Sequence, residues 1–117
     1  MTHLRPHARI WINSDSQEGA FGRGKLRLLE EIDRRGSLQE AARAMKMSYR
    51  KAWGDLKKAE ACLQMKLIDK TRGGAGGGQT VLTEQGKRLV KAFEGFQDDI
   101  QACIQQSFEE FLRKMTE

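Results

Sequence analysis

The chain has 117 residues, 38% of them hydrophobic, which is enough for one domain with a modest core and too little for two independent ones. No stretch approaches the roughly 18 apolar residues of a membrane span and none near the amino terminus reads as a signal peptide, so a cytoplasmic protein is expected. The net charge of +5 is unevenly spread: residues 23–72 carry 14 basic and 7 acidic side chains, and residues 84–117 carry 5 and 7. A polyanion partner is therefore expected for the middle of the chain and another task for its tail.

In chain order, residues 8–13 hold Ile10, Trp11 and Ile12 ahead of a Ser-Asp-Ser cluster, a short strand signal. A polar, glycine-punctuated linker is expected from Ser14 to Gly24. Leu26, Leu28, Leu29 and Ile32 then define one face of a first helix that Gly36 stops. Ser37-Leu38-Gln39-Glu40 is a capping box for a second, alanine-rich helix containing Ala41, Ala42, Ala44 and Met45. Ser48 offers another N-cap, and Ala52, Trp53, Leu56, Ala59 and Leu63 give a third amphipathic helix. Two helices joined by a turn of about four residues, with small residues where they cross, form a helix-turn-helix arrangement.

Leu67–Thr71 and Gln79–Leu82 flank a glycine-rich run and read as a hairpin. From Gly73 this run is one residue short of a phosphate loop, with Gln79 where the lysine belongs. Thr80-Val81-Leu82 also continues as a strand where a helix must start, so nucleotide binding is rejected and the loop is read as a wing. Thr83 caps a final helix of about thirty residues. Its apolar positions Leu89, Phe93, Phe96, Ile100, Cys103, Ile104, Ser107, Phe108 and Phe111 recur nearly as in a coiled-coil seam, which predicts a dimer interface. Cys62 and Cys103 fall within apolar helical patterns and read as buried thiols of a reducing compartment. His3 and His7 lack partners, and no metal-ligand spacing is present.

The expected architecture is mainly α with a small β hairpin: a winged helix-turn-helix over residues 1–83 and a long dimerisation helix over 84–117. In such a unit the start of the second motif helix enters the major groove of DNA. Ser48, Tyr49, Arg50 and Lys51 occupy that turn. Arg50 is assigned to base reading, because a guanidinium bridges guanine O6 and N7, and Lys51 to bases or phosphate. Tyr49 is either a thymine or phosphate contact or a core aromatic, whereas Trp53 and Leu56 are expected in the core. Gly54, unfavourable inside a helix, marks close approach of DNA or of a neighbouring helix. Lys57, Lys58, Arg43, Lys46 and Arg23 are phosphate candidates, and Lys70, Thr71, Arg72, Gln79 and Thr80 are the wing's contacts.

The stretch from Gly22 to Leu56, followed by Thr71 to Val90, resembles the N-terminal DNA-binding domain of ModE-type molybdate-responsive regulators, a winged-helix group akin to the LysR type. The resemblance covers about residues 8–95 and rests on the Gly-Ser start of the second helix, the Ser-Tyr-Arg-x-Ala-Trp opening of the third, and the glycine wing closed by Leu-Thr-x-x-Gly. It implies a homodimer on operator DNA, held by the long terminal helix, with Ser48–Lys51 on the recognition helix and Arg72–Gln79 in the wing. Two positions depart from the family pattern: Glu60 stands where an asparagine is typical, and Ala75 where the wing carries a basic residue. Full-length relatives continue into a molybdate-binding domain; the chain ends at Glu117, so no cofactor is expected and molybdate enters only by family analogy.

The function expected is that of a homodimeric, sequence-specific transcriptional regulator on a pseudo-palindromic operator. The alternative is a winged-helix protein-interaction module or a nonspecific DNA-binding accessory protein. An enzyme is not expected, because there is no nucleophile paired with a histidine, no metal triad and no working phosphate loop.

Overall fold

The computed structural model describes residues 3–71 and 78–117. The wing tip, including Arg72 and Ala75, lies outside the described residues. The chain begins with a two-stranded antiparallel ribbon, β1 (Trp11–Ile12) and β2 (Phe21–Gly22), with Trp11 opposite Gly22 and Ile12 opposite Phe21. This corrects the expected linker, because the second strand and the start of the next helix both fall within residues 14–24. Gly22 permits the pairing: a Cβ there would sit 3.0 Å from that of Trp11. Gly19 turns the ribbon at φ +66°, and its N–H donates to Asn13 Oδ1 at 2.7 Å.

Helix α1 (Arg23–Arg35) starts three residues before the first leucine of its apolar face. It ends at Gly36, whose left-handed backbone lets its N–H reach the Ile32 carbonyl at 2.7 Å. Helix α2 (Leu38–Ala44) is capped as its sequence predicts, with Ser37 Oγ accepting from the Glu40 N–H at 3.2 Å. The glutamate of that box instead pairs with Arg43 at 3.3 Å. A turn with Lys46 at φ 57° leads to α3 (Tyr49–Leu63), where Ser48 Oγ accepts from the Lys51 N–H at 3.0 Å. The apolar faces of α1, α2 and α3 meet in one core, with Ala41, Ala42, Ala52 and Ala59 buried where the last two cross.

The hairpin β3 (Ile68–Thr71) and β4 (Gln79–Leu82) pairs Ile68 with Leu82 and Thr71 with Gln79. Glu60 fixes its entry, accepting from the Leu67 N–H at 2.7 Å and the Ile68 N–H at 3.3 Å. Partial burial opposes its charge, but these two N–H groups and Lys57 outweigh that and hold the carboxyl below its usual range. The residue at the departure from the family's asparagine therefore closes the turn between α3 and the wing.

Thr83 ties hairpin to final helix. Its Oγ1 donates to the Lys66 carbonyl at 2.5 Å and accepts from the Gly86 N–H at 2.9 Å, which opens α4 (Glu84–Thr116). Gly86 lies against the chain just before β3 so closely that a Cβ would come within 2.3 Å of the Leu67 carbonyl oxygen. The Leu-Thr-x-x-Gly signature is thus a packing device. At 33 residues and 1.5 Å per residue, α4 is about 50 Å long and accounts for most of the 67 Å maximum dimension.

Two expectations about burial are corrected. Phe93 is not on a free seam: it is buried in the chain's own core, edge-on to Phe21 with ring centroids 5.1 Å apart, and Leu89 packs against the same core. The division between residues 83 and 84 accordingly cuts through this core. The cysteines are not buried thiols either, since Cys62 is half-buried and Cys103 exposed.

Candidate nucleic-acid interface

Helix α3 advances about 100° per residue, so the burial of Ala52, Leu56 and Ala59 turns Arg50, Gly54, Lys58 and Ala61 outward. Among the described residues Arg50 and Lys58 make no ion pair. Gly54 lies in the middle of this face with nothing within 4 Å of where its Cβ would be. No neighbouring helix of this chain requires the glycine, and the outcome is a shallow floor between two long cations. The helix accepts a propensity loss of roughly 0.8–1 kcal/mol for it.

One flank of α3 faces the wing. Lys70 of β3 holds its ammonium 4.6 Å from the ring centroids of both Tyr49 and Trp53, and Lys57 lies 4.4 Å over the same indole. The two Lys70 contacts, about 0.5–1 kcal/mol each when exposed, hold the wing strand against α3, whereas Lys57 on Trp53 is a contact within the helix. Tyr49 is therefore neither wholly core nor free: it stays 42% exposed with one face under Lys70. Trp53, expected in the core, is half-buried and serves as a platform for the two lysines. A cleft of about 620 Å³ opens here, lined by Gln39, Tyr49, Lys70, Thr71 and Gln79 among others. Gln39, in the first turn of α2 two residues after the N-cap Ser37, lines this cleft and is absent from the candidates named above.

The other flank carries Lys51, which pairs with Asp55 at 2.9 Å. Arg43 and Lys57 are similarly tethered, to Glu40 and Glu60. The exposed Arg43–Glu40 pair contributes at most about 1 kcal/mol, so a phosphate can compete for that cation, whereas the Glu60 carboxylate is largely buried. Lys46 stands on the turn between α2 and α3, and Ser48 spends its hydroxyl on the helix cap. Thr71 and Gln79 are exposed on the wing strands, with the Thr71 hydroxyl donating to the Gln79 carbonyl at 3.5 Å.

Thr80 is no exposed contact of this surface, although it borders the same cleft. It is buried, its Oγ1 accepting from the Leu38 N–H at 3.2 Å and its own N–H donating to the Gly36 carbonyl at 2.9 Å. The alternation of the hairpin turns it inward to cap α2, while its neighbours Gln79 and Val81 turn out.

A basic helix face with a flanking hairpin defines a winged helix-turn-helix domain. Residues 24–87 match the family described as bacterial regulatory helix-turn-helix protein, lysR family. The chain belongs to that family, which comprises DNA-binding transcriptional regulators and not a class of enzymes. It is 32% identical over 104 residues, 89% of its length, to the molybdenum transport protein ModE of Azotobacter vinelandii. It is also 33% identical over 82 residues to the DNA-binding transcriptional dual regulator ModE of Escherichia coli K12, and 33% over 92 residues to the molybdenum-pterin-binding protein MopB of Rhodobacter capsulatus. These matches cover 70% and 79% of the chain. The chain spans only 38%, 29% and 34% of the three relatives. Among the described residues no helix is long and apolar enough to cross a membrane.

Proposed function

We propose that the protein is a sequence-specific transcriptional regulator that binds operator DNA as a homodimer in the cytoplasm. The observation that carries this reading is the outward face of α3: Arg50 and Lys58 stand on either side of the bare Gly54. A side-chain-free floor admits the edge of the major groove, Arg50 reads a guanine by two hydrogen bonds, and Lys58 neutralises a phosphate. Lys46, Lys70, Thr71 and Gln79 are the accompanying backbone contacts, and Arg72 of the wing joins them in the proposal.

The dimer reading rests on the distal part of α4. Beyond Phe93, the residues Phe96, Ile100, Ile104, Phe108, Phe111 and Met115 form an apolar stripe on a helix that extends away from its own core. Phe111 and Met115 are more than half exposed. A second copy covering this stripe sets two recognition helices on half-sites related by a two-fold axis. The relatives' names connect this reading to molybdenum, so the regulated genes are proposed to lie in molybdenum handling. No residue of this chain is assigned to the metal.

The test is a duplex selected by the protein from a random pool. Arg50→Ala is expected to weaken its binding by about 1–3 kcal/mol and to relax preference at one base pair of each half-site. An equal loss on every sequence would move Arg50 from base reading to phosphate contact.

A further inference from the structure

On the side of α3 away from the wing, a cleft of about 730 Å³ opens between the amino-terminal ribbon, the start of α1 and the turn before α3. Arg9, Arg23 and Arg27 line it together with Lys51, Asp55 and Trp11. Among the described residues these three arginines make no ion pair, while the Asp55 carboxylate is taken up by Lys51 at 2.9 Å. The indole of Trp11 is 57% exposed.

Three guanidiniums thus share one cleft with a single carboxylate, Asp55, beside a helix face that is itself basic. Each presents a planar fork of donors that matches phosphate oxygens. Lys51 and Asp55 belong both to this cleft and to α3, so the cleft is continuous with the recognition helix. The wing occupies the opposite flank through Tyr49 and Trp53.

We infer that this cleft grips the sugar-phosphate backbone of the same DNA, with Arg9, Arg23 and Arg27 on successive phosphates and Trp11 against the sugars. The inference rests on the DNA-binding reading above. The helix thus lies in the groove with one backbone held by the wing and the other by the ribbon. A ribbon of two residues per strand, otherwise peripheral, gains a purpose: it carries Arg9 and Trp11 to the edge of the groove.

The test is Arg9→Ala/Arg23→Ala/Arg27→Ala, assayed by anisotropy on the selected duplex and on a scrambled one over a range of salt. All three side chains are exposed, so the variant is expected to melt as the parent does. The slope of log affinity against log salt is expected to fall by about 2–3, near 0.9 for each phosphate that is no longer neutralised, with the preference for the selected duplex unchanged. An unchanged slope would overturn the inference, and a collapse of preference would make the arginines base readers. Release of DNA from the parent but not from the variant by inorganic phosphate at micromolar concentration would assign the cleft to a small anion instead. Absence of binding by the parent to either duplex would remove the DNA reading itself, whereas loss of discrimination by Arg50→Ala with an unaltered triple variant would sink the cleft assignment alone.

Discussion

At the scale of single residues, Gly54 and Gly86 show two different reasons for a glycine in a helix. Gly86 is demanded from within, since a Cβ would meet the Leu67 carbonyl oxygen at 2.3 Å and neither backbone segment can move without disturbing the Thr83 cap. Gly86→Ala is predicted to destabilise the fold by about 1–3 kcal/mol, read as a lowered urea midpoint, and an unchanged midpoint would mean that β3 yields freely. Gly54 has open space around it, so no packing within the chain requires it, and its place on the outward face of α3 is what the proposed DNA contact uses. Both stand out in the sequence but cannot be separated there, because each depends on what lies opposite in space. Thr80 is illegible for a related reason: whether a strand residue faces DNA or core depends on register, and a one-residue step exchanges the two. Arg50 and the Ser48 cap are legible because local helix phase and capping chemistry decide them.

At the scale of elements, the packing of α1 on α4 joins two acidic residues. Glu30 of α1 shares a hydrogen bond with Glu94 of α4, and this contact, with burial and the second carboxylate's charge, pushes the Glu30 pKa up to about 7. Arg27 opposes the shift and Glu31 adds to it. The folded state thus keeps a proton that the unfolded chain releases near the ordinary value of 4.5, so this contribution is full below pH 4.5 and is lost as pH rises to about 7. Glu94→Gln is predicted to flatten stability between about pH 5 and 7, measured by urea unfolding across that range. A variant that loses stability with the parent's slope would place the proton elsewhere. Glu60 acts with the opposite sign, since its lowered pKa gives stability that is lost as pH falls below the ordinary carboxylate range. The helices and the hairpin are legible from periodicity and glycine punctuation. Strand β2 is not, because two residues carry no alternation, and Phe21 declares itself only through Phe93, far along the chain.

At the scale of the whole molecule, α4 performs two tasks along one length. Its first three turns complete the domain core through Gly86 and Phe93, and the rest carries an apolar stripe away from it. A continuous heptad-like pattern hides this change, since an intrachain core and the proposed dimer seam demand the same spacing. Ile100→Glu/Phe108→Glu is therefore predicted to yield a folded monomer by sedimentation. Phe93→Glu, in contrast, is predicted to unfold the domain by burying an unpaired charge. A dimer that survives the first substitution would put the partner surface elsewhere. Whether the basic face around α3 recognises a particular DNA sequence is decided by fluorescence anisotropy of the unmodified protein with a pool-selected duplex and its scrambled counterpart at two salt concentrations. Tighter binding to the selected duplex is predicted at both, with affinity for each falling steeply as salt rises. Equal, weak binding to both duplexes would contradict recognition by this face.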